Sequence, residues 1–144
     1  MTAVAFHFNV DDRLGYACRW LRKAVSQRTR VVVIGPPETL QALDRALWAM
    51  SETEFLPHCL GTAPTEVVAR SPIVLVSSLE EPAHRHILLN LGGHVPAGFE
   101  QFERVTEVVT QDDTERSGAR ERWKHYLASS CSITRHDLAV QGGR

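Results

Sequence analysis

The chain has 144 residues, 43% hydrophobic and 23% charged, which excludes a disordered or fibrous protein and allows one substantial core. Its 16 basic and 17 acidic residues leave a formal net charge of −1, which disfavours binding of nucleic acid by the domain as a whole. Three widely spaced cysteines, Cys18, Cys59 and Cys131, form no disulfide framework. With no signal-peptide pattern and no run of apolar residues that could span a bilayer, we expect a cytoplasmic protein without a membrane anchor.

Short apolar strands alternate with amphipathic helices in the first half of the chain. In order, the predicted elements are a strand at residues 3–10, a helix at 13–27, a strand at 30–34, a helix that follows Gly35-Pro36-Pro37-Glu38, and an extended segment at 55–59. The second helix has a core stripe of Leu40, Leu43, Leu47 and Met50. Trp48 lies about 100° away from that stripe. It is therefore either the edge of the core or a half-exposed anchor for a partner.

The second half of the chain continues the pattern of strands, with one more long helix. We predict a loop at residues 61–72, strands at 73–76, 86–91 and 104–109, one helical turn at 96–102, a helix from about 113, and an edge strand within 130–140. Continuous apolar runs such as Arg30-Val-Val-Val-Ile34 are typical of strands buried on both faces of a parallel sheet. The sequence thus predicts one domain over residues 1–144, a three-layer α/β/α fold with a mainly parallel, Rossmann-like sheet.

The last long helix is distinctive because it is basic along one face. Arg116, Arg120 and Lys124 recur every four residues, so they stack on that face. Acidic residues precede them, where carboxylates favour the positive end of the helix dipole. Such a face, beside aromatic and apolar side chains, suits an acidic peptide with apolar groups, or phosphate. The alternative interpretation is an ordinary solvated helix surface.

Familiar catalytic and ligand-binding patterns are missing from the sequence. The turn Gly35-Pro36-Pro37-Glu38 follows a strand as a dinucleotide loop would, but it lacks two glycines, and its prolines remove phosphate-binding N–H groups. Histidines and cysteines are scattered singly, without zinc-site spacing. No nucleophile has a base that could activate it. We therefore expect no cofactor, no metal and no catalytic residue, and a binding module rather than an enzyme.

Several stretches together resemble the chi subunit of bacterial DNA polymerase III, an accessory subunit of the clamp loader. They follow the order of that family and cover most of the chain. The stretches are Arg30-Val-Val-Val-Ile34, Leu43-Asp44-Arg45-Ala46-Leu47-Trp48, Phe55-Leu56-Pro57-His58, Ile87-Leu-Leu-Asn-Leu91, Phe99-Glu-Gln-Phe-Glu-Arg-Val105, Glu107-Val-Val109 and Ala119-Arg-Glu-Arg-Trp-Lys-His-Tyr126.

The resemblance implies a non-catalytic role in DNA replication. A chi subunit pairs with the psi subunit and also binds the C-terminal tail of the single-stranded DNA-binding protein, an acidic segment with an apolar end and a free carboxylate. Carried across by position, the apolar part of the tail pocket comprises Trp48, Phe55 and Val109, and its basic part comprises Arg116, Arg120 and Lys124. Arg120 is the candidate for holding the terminal carboxylate.

Two other functions remain open from the sequence. The α/β fold by itself allows an enzyme that binds a nucleotide or a phosphate metabolite, by analogy alone. Direct binding of single-stranded DNA by the basic helix is the weaker alternative, because the net charge is near zero and few aromatic residues accompany the cations. The resemblance does not identify the surface that psi would use.

Overall fold

A parallel β-sheet with helices on both faces forms the body of the protein. The computed structural model describes residues 2–49, 56–80 and 82–138. Its strands are β1 (Ala3–Val10), β2 (Val31–Ile34), β3 (His58–Leu60), β4 (Ile73–Val76), β5 (Ile87–Asn90), β6 (Arg104–Thr110) and β7 (Ser132–Asp137). Its helices are α1 (Arg13–Ser26), α2 (Pro37–Ala49), α3 (Thr65–Arg70) and α4 (Asp113–Ala128). The strand order is β3-β4-β2-β5-β6-β1-β7, with every neighbouring pair parallel.

The predicted three-layer fold with a mainly parallel sheet is confirmed, and one local prediction is wrong. Residues 61–72 were expected to be a loop, but they contain the six-residue helix α3, which begins after Pro64. None of its residues is buried, and Val67 is 44% exposed. A helix that faces solvent on all sides has no apolar stripe, so periodicity could not reveal it. The predicted final strand is confirmed as β7, which pairs with β1.

Alternation along the strands places α2 and α4 on opposite faces of the sheet. Val31 of the central strand β2 packs in the buried cluster that contains α1 and the α2 stripe, including Leu43. The next residue, Val32, packs instead in the cluster that contains Tyr126 of α4. Because neighbouring residues of a strand point to opposite faces, α1 and α2 cover one face and α4 covers the other. We call these the α1–α2 face and the α4 face.

A buried polar network holds α4 against the sheet. The carboxylate of Glu107, which is fully buried on β6, accepts hydrogen bonds from Asn90 of β5 at 2.8 Å, from Arg122 Nε at 2.9 Å and from the Tyr126 hydroxyl at 2.6 Å. Arg122 also donates to the carbonyl oxygen of Gly93 at 3.2 Å. The network therefore joins two central strands, the loop after β5 and the middle of α4.

Burial and charge act in opposite directions within this network. Burial raises the pKa of Glu107, whereas the Arg122 cation and the three donors lower it. Burial, followed by the adjacent Glu107 carboxylate, raises the pKa of Tyr126, so its hydroxyl stays protonated and available as a donor. At the start of the helix, the Asp112 side chain accepts a hydrogen bond from the Glu115 backbone N–H at 3.0 Å, as an N-cap does.

Removal of the Glu107 charge should destabilise the protein strongly. Glu107→Gln leaves the buried Arg122 cation without its counter-ion, so we expect the free energy of unfolding to fall by about 3–5 kcal/mol. Tyr126→Phe keeps the ion pair and removes one hydroxyl, so its cost should be about 1–2 kcal/mol. Urea unfolding at neutral pH, followed by circular dichroism, measures both. Equal costs for the two variants would show that the ion pair is not the main restraint on α4.

Candidate functional site

The predicted basic face exists on α4 and is open to solvent. Arg116, Arg120 and Lys124 are all exposed, and each is about 6 Å further along the helix axis than the one before. The Lys124 ammonium pairs with the Glu121 carboxylate at 3.2 Å, but both side chains are exposed, so the pair contributes little. All three side chains therefore keep their positive charge available on this face.

An aromatic side chain lies beside Arg120 on the surface of the helix. Trp123 is half-buried and packs on the strand residues Phe6 and Phe8, with ring centroids 5.0 and 6.2 Å away. On the helix surface its neighbours are Arg120, three residues before it, and Leu127, four residues after it. Leu127 is 62% exposed. A basic rim thus borders an apolar surface that solvent can reach.

The last strand extends this surface with residues that the sequence analysis missed. The Arg135 guanidinium lies 4.9 Å from the centre of the Phe8 ring, a cation–π contact at the edge of the sheet. Ile133 packs partly against the same cluster. The alternation of β1 could have placed Phe8 beside Phe6, but the pairing of β7 with β1 is not visible in the sequence. We call Arg116, Arg120, Lys124, Trp123, Leu127, Phe8, Ile133 and Arg135 the α4 site.

The structure does not bring all six predicted tail-binding residues together. Val109 is fully buried beneath α4, in one cluster with Ala119 and Tyr126, and so supports the helix from below. Trp48 is on α2, across the sheet from α4. Phe55 lies outside the described residues. Of the five predicted residues that the structure describes, only the three cations share one exposed face.

Trp48 belongs instead to a second exposed surface, at the β3 edge of the sheet. Its side chain is 58% exposed, and its ring lies 5.1 Å from the ring of His58, edge to face. The His58 ring nitrogens lie 2.8 Å from the Leu56 carbonyl oxygen and 3.0 Å from the Asp44 carboxylate, which hold that ring in place. His58 belongs to β3, a strand of three residues at one end of the sheet. Trp48, which contacts His58, therefore lies at the edge of the fold. We call Trp48, His58 and β3 the β3-edge surface.

The carboxyl ends of the strands, where a Rossmann-like fold would bind a nucleotide, suit phosphate poorly. A cavity of about 590 Å³ lies there, with Pro37, Ser77 and Glu80 among its lining residues. The N-terminus of a helix normally binds phosphate through its free backbone N–H groups. Here α2 begins at Pro37, which has no N–H group, and Glu80 adds a negative charge.

Neither a metal-ion site nor a membrane-spanning helix occurs among residues 2–49, 56–80 and 82–138. In these ranges no three or more His, Cys, Asp or Glu side chains are grouped so that they could hold a metal ion. Every helix of the described ranges is too short or too polar to cross a membrane.

Comparisons with known proteins all point to one protein family. Residues 1–134 match the family model described as DNA polymerase III chi subunit, HolC. The chain is 33% identical to DNA polymerase III subunit chi of Pseudomonas aeruginosa over 145 residues, covering 96% of this chain and 98% of that protein. It is 29% identical to DNA polymerase III subunit chi of Haemophilus influenzae over 124 residues, covering 85% of each. The chain therefore belongs to the family of DNA polymerase III chi subunits and has an accessory role in DNA replication.

Proposed function

We propose that this protein is a non-catalytic bridge of the cytoplasmic DNA polymerase III holoenzyme. Its single domain, residues 1–144, joins the psi subunit to the C-terminal tail of the single-stranded DNA-binding protein. The observation that carries the proposal is the α4 site, where exposed arginines border the apolar surface of Trp123 and Leu127. That chemistry is complementary to an acidic peptide with an apolar end and a free carboxylate.

The α4 site has side chains that are chemically complementary to each part of the tail. A guanidinium can hold a carboxylate with two parallel hydrogen bonds, and Arg120 is the arginine beside Trp123 in the middle of the helix. The apolar end of the tail then contacts Trp123 and Leu127. Arg116 and Arg135 remain for the acidic residues before it. Trp48 takes no part in this site, and Val109 contributes by supporting α4.

Binding to one tail should be modest and sensitive to salt. The surface is shallow, so few side chains are desolvated, and exposed charges are screened within about 8 Å at physiological ionic strength. A partner that displays several tails would strengthen the interaction through effective concentration.

Arg120→Ala should weaken binding of a tail peptide by about tenfold, ~1.4 kcal/mol, because a charge-assisted bidentate contact is lost. Isothermal titration calorimetry measures the change at constant salt. Arg22→Ala is the matched control, since Arg22 is exposed on α1, across the sheet. Equal affinities of wild type and Arg120→Ala would remove the α4 site from the proposal.

For psi we propose the β3-edge surface. An exposed tryptophan at the centre of a partner surface commonly contributes much of the binding energy. The position of Trp48 across the sheet from α4 leaves both surfaces accessible at once, as a bridge requires. An edge strand also offers backbone groups for pairing with another chain.

Trp48→Ala should weaken psi binding by about thirtyfold or more, ~2 kcal/mol, and leave tail-peptide affinity unchanged. Co-purification with co-expressed psi and calorimetry with the tail peptide measure the two effects. Val67→Ala is the control for loss of an exposed apolar side chain, on α3. A fall in tail affinity in Trp48→Ala would instead return Trp48 to the tail site that the sequence predicted.

A further inference from the structure

A trough on the α1–α2 face lies beside the last strand, away from both surfaces described above. Two adjoining cavities of about 410 and 320 Å³ form it. Both cavities are lined by His7 of β1, Trp20 of α1, Ile87 of β5 and Arg104 of β6. The trough therefore follows the strands between α1 and the β7 edge.

The floor of the trough is a part of the β-sheet that α1 does not cover. Parallel sheets are normally covered on both faces. Here Ala3, Ser132 and Thr134 are exposed and Ala5 is only half-buried. Their small side chains would allow another polypeptide backbone to approach the sheet closely.

Among the described residues, the charged side chains that line the trough are all positive. Arg19, Lys23 and Arg104 line it, and all three are exposed. None of the described residues that line its two cavities is an aspartate or a glutamate. Burial, and to a lesser degree His136, lowers the pKa of His7 to about 4, so His7 is neutral at pH 7. The positive charge therefore comes from the arginines and the lysine, in a protein whose net formal charge is −1.

The trough and the α4 site lie on the two sides of one edge strand. Along β7, Arg135 belongs to the α4 site, whereas its neighbours Thr134 and His136 line the trough. An extended peptide advances about 3.3 Å per residue, so a few residues are enough to pass around this edge.

We propose that the trough binds acidic residues further from the apolar end of the tail than those that Arg116 and Arg135 hold, so that one tail wraps around the β7 edge. This inference rests on the proposed function, because the apolar end must be held at the α4 site. Cations then line the path of the tail on both faces of the sheet.

Ring geometry favours a peptide over single-stranded DNA in the trough. The His7 and His136 rings stack on each other, with centroids 4.7 Å apart and planes 29° apart. His7 Nδ1 also lies 2.5 Å from the Tyr16 hydroxyl oxygen. Because each ring uses one of its faces for the other, fewer ring faces remain on which bases could stack.

Three peptides and one double variant test the inference. The short peptide has only the apolar end with its free carboxylate. The long acidic peptide adds the preceding acidic residues, and the long neutral peptide has serine in their place. Calorimetry compares the wild type with Lys23→Ala/Arg104→Ala, and Arg70→Ala is the control, an exposed arginine on α3 near the opposite end of the sheet.

The double variant should bind the long acidic peptide about three- to tenfold more weakly than the wild type, because two screened charge contacts are lost. Its affinities for the short and the long neutral peptides should not change, and Arg70→Ala should bind all three peptides as the wild type does. Urea unfolding verifies that the double variant folds; both replaced side chains are exposed.

Two results overturn the inference alone: equal binding of the long acidic peptide by wild type and double variant, or an equal loss for all three peptides. If the double variant loses affinity for an oligothymidylate instead, the trough is a nucleic-acid surface and the inference is wrong. Failure of the short peptide to bind the wild type would overturn the proposed function itself, and the inference with it.

Discussion

The buried ion pair between Glu107 and Arg122 is the contact on which the proposed tail-binding surface depends. Most of α4 is polar, and only Ala119, Arg122 and Tyr126 of its residues are buried. A helix with so narrow an apolar stripe obtains little stabilisation from hydrophobic burial. Its position is set instead by hydrogen bonds, which require defined distances and directions. The helix can therefore present many cations outward and still remain fixed on the sheet.

The network also distinguishes the cation that holds α4 on the sheet from the cations that are exposed to solvent. Arg122 lies in the same basic segment as Arg120 and Lys124, but its side chain turns inward to a carboxylate and adds nothing to the exposed potential. The side chains of Arg116 and Arg120 are exposed instead, so their charge remains available to a ligand. Burial against Glu107 thus gives Arg122 a structural role, whereas the exposed cations can contact a ligand.

The proposed bridge between two partners requires surfaces that do not compete. The sheet supplies them, because the cationic helix covers one face near β7 whereas Trp48 stands on the helix layer of the other face, beside β3. These strands are the two ends of the sheet order. The open trough adds a third region, next to β7 but on the α1–α2 face. A single, mainly parallel sheet can thus keep several surfaces apart from one another without an additional domain.

The sequence by itself determined the layers, most of the elements and the basic face of α4, because hydrophobic periodicity and charge spacing are local properties. It missed α3, none of whose residues is buried. The order of motifs along the chain also does not show that Trp48 and the cations lie on opposite sides of the sheet. Phe8 and Arg135 meet only through the pairing of β1 with β7, more than a hundred residues apart. Tertiary structure decided which face each helix covers, since a crossover between parallel strands can place a helix on either side of the sheet, and that choice fixes which side chains become neighbours.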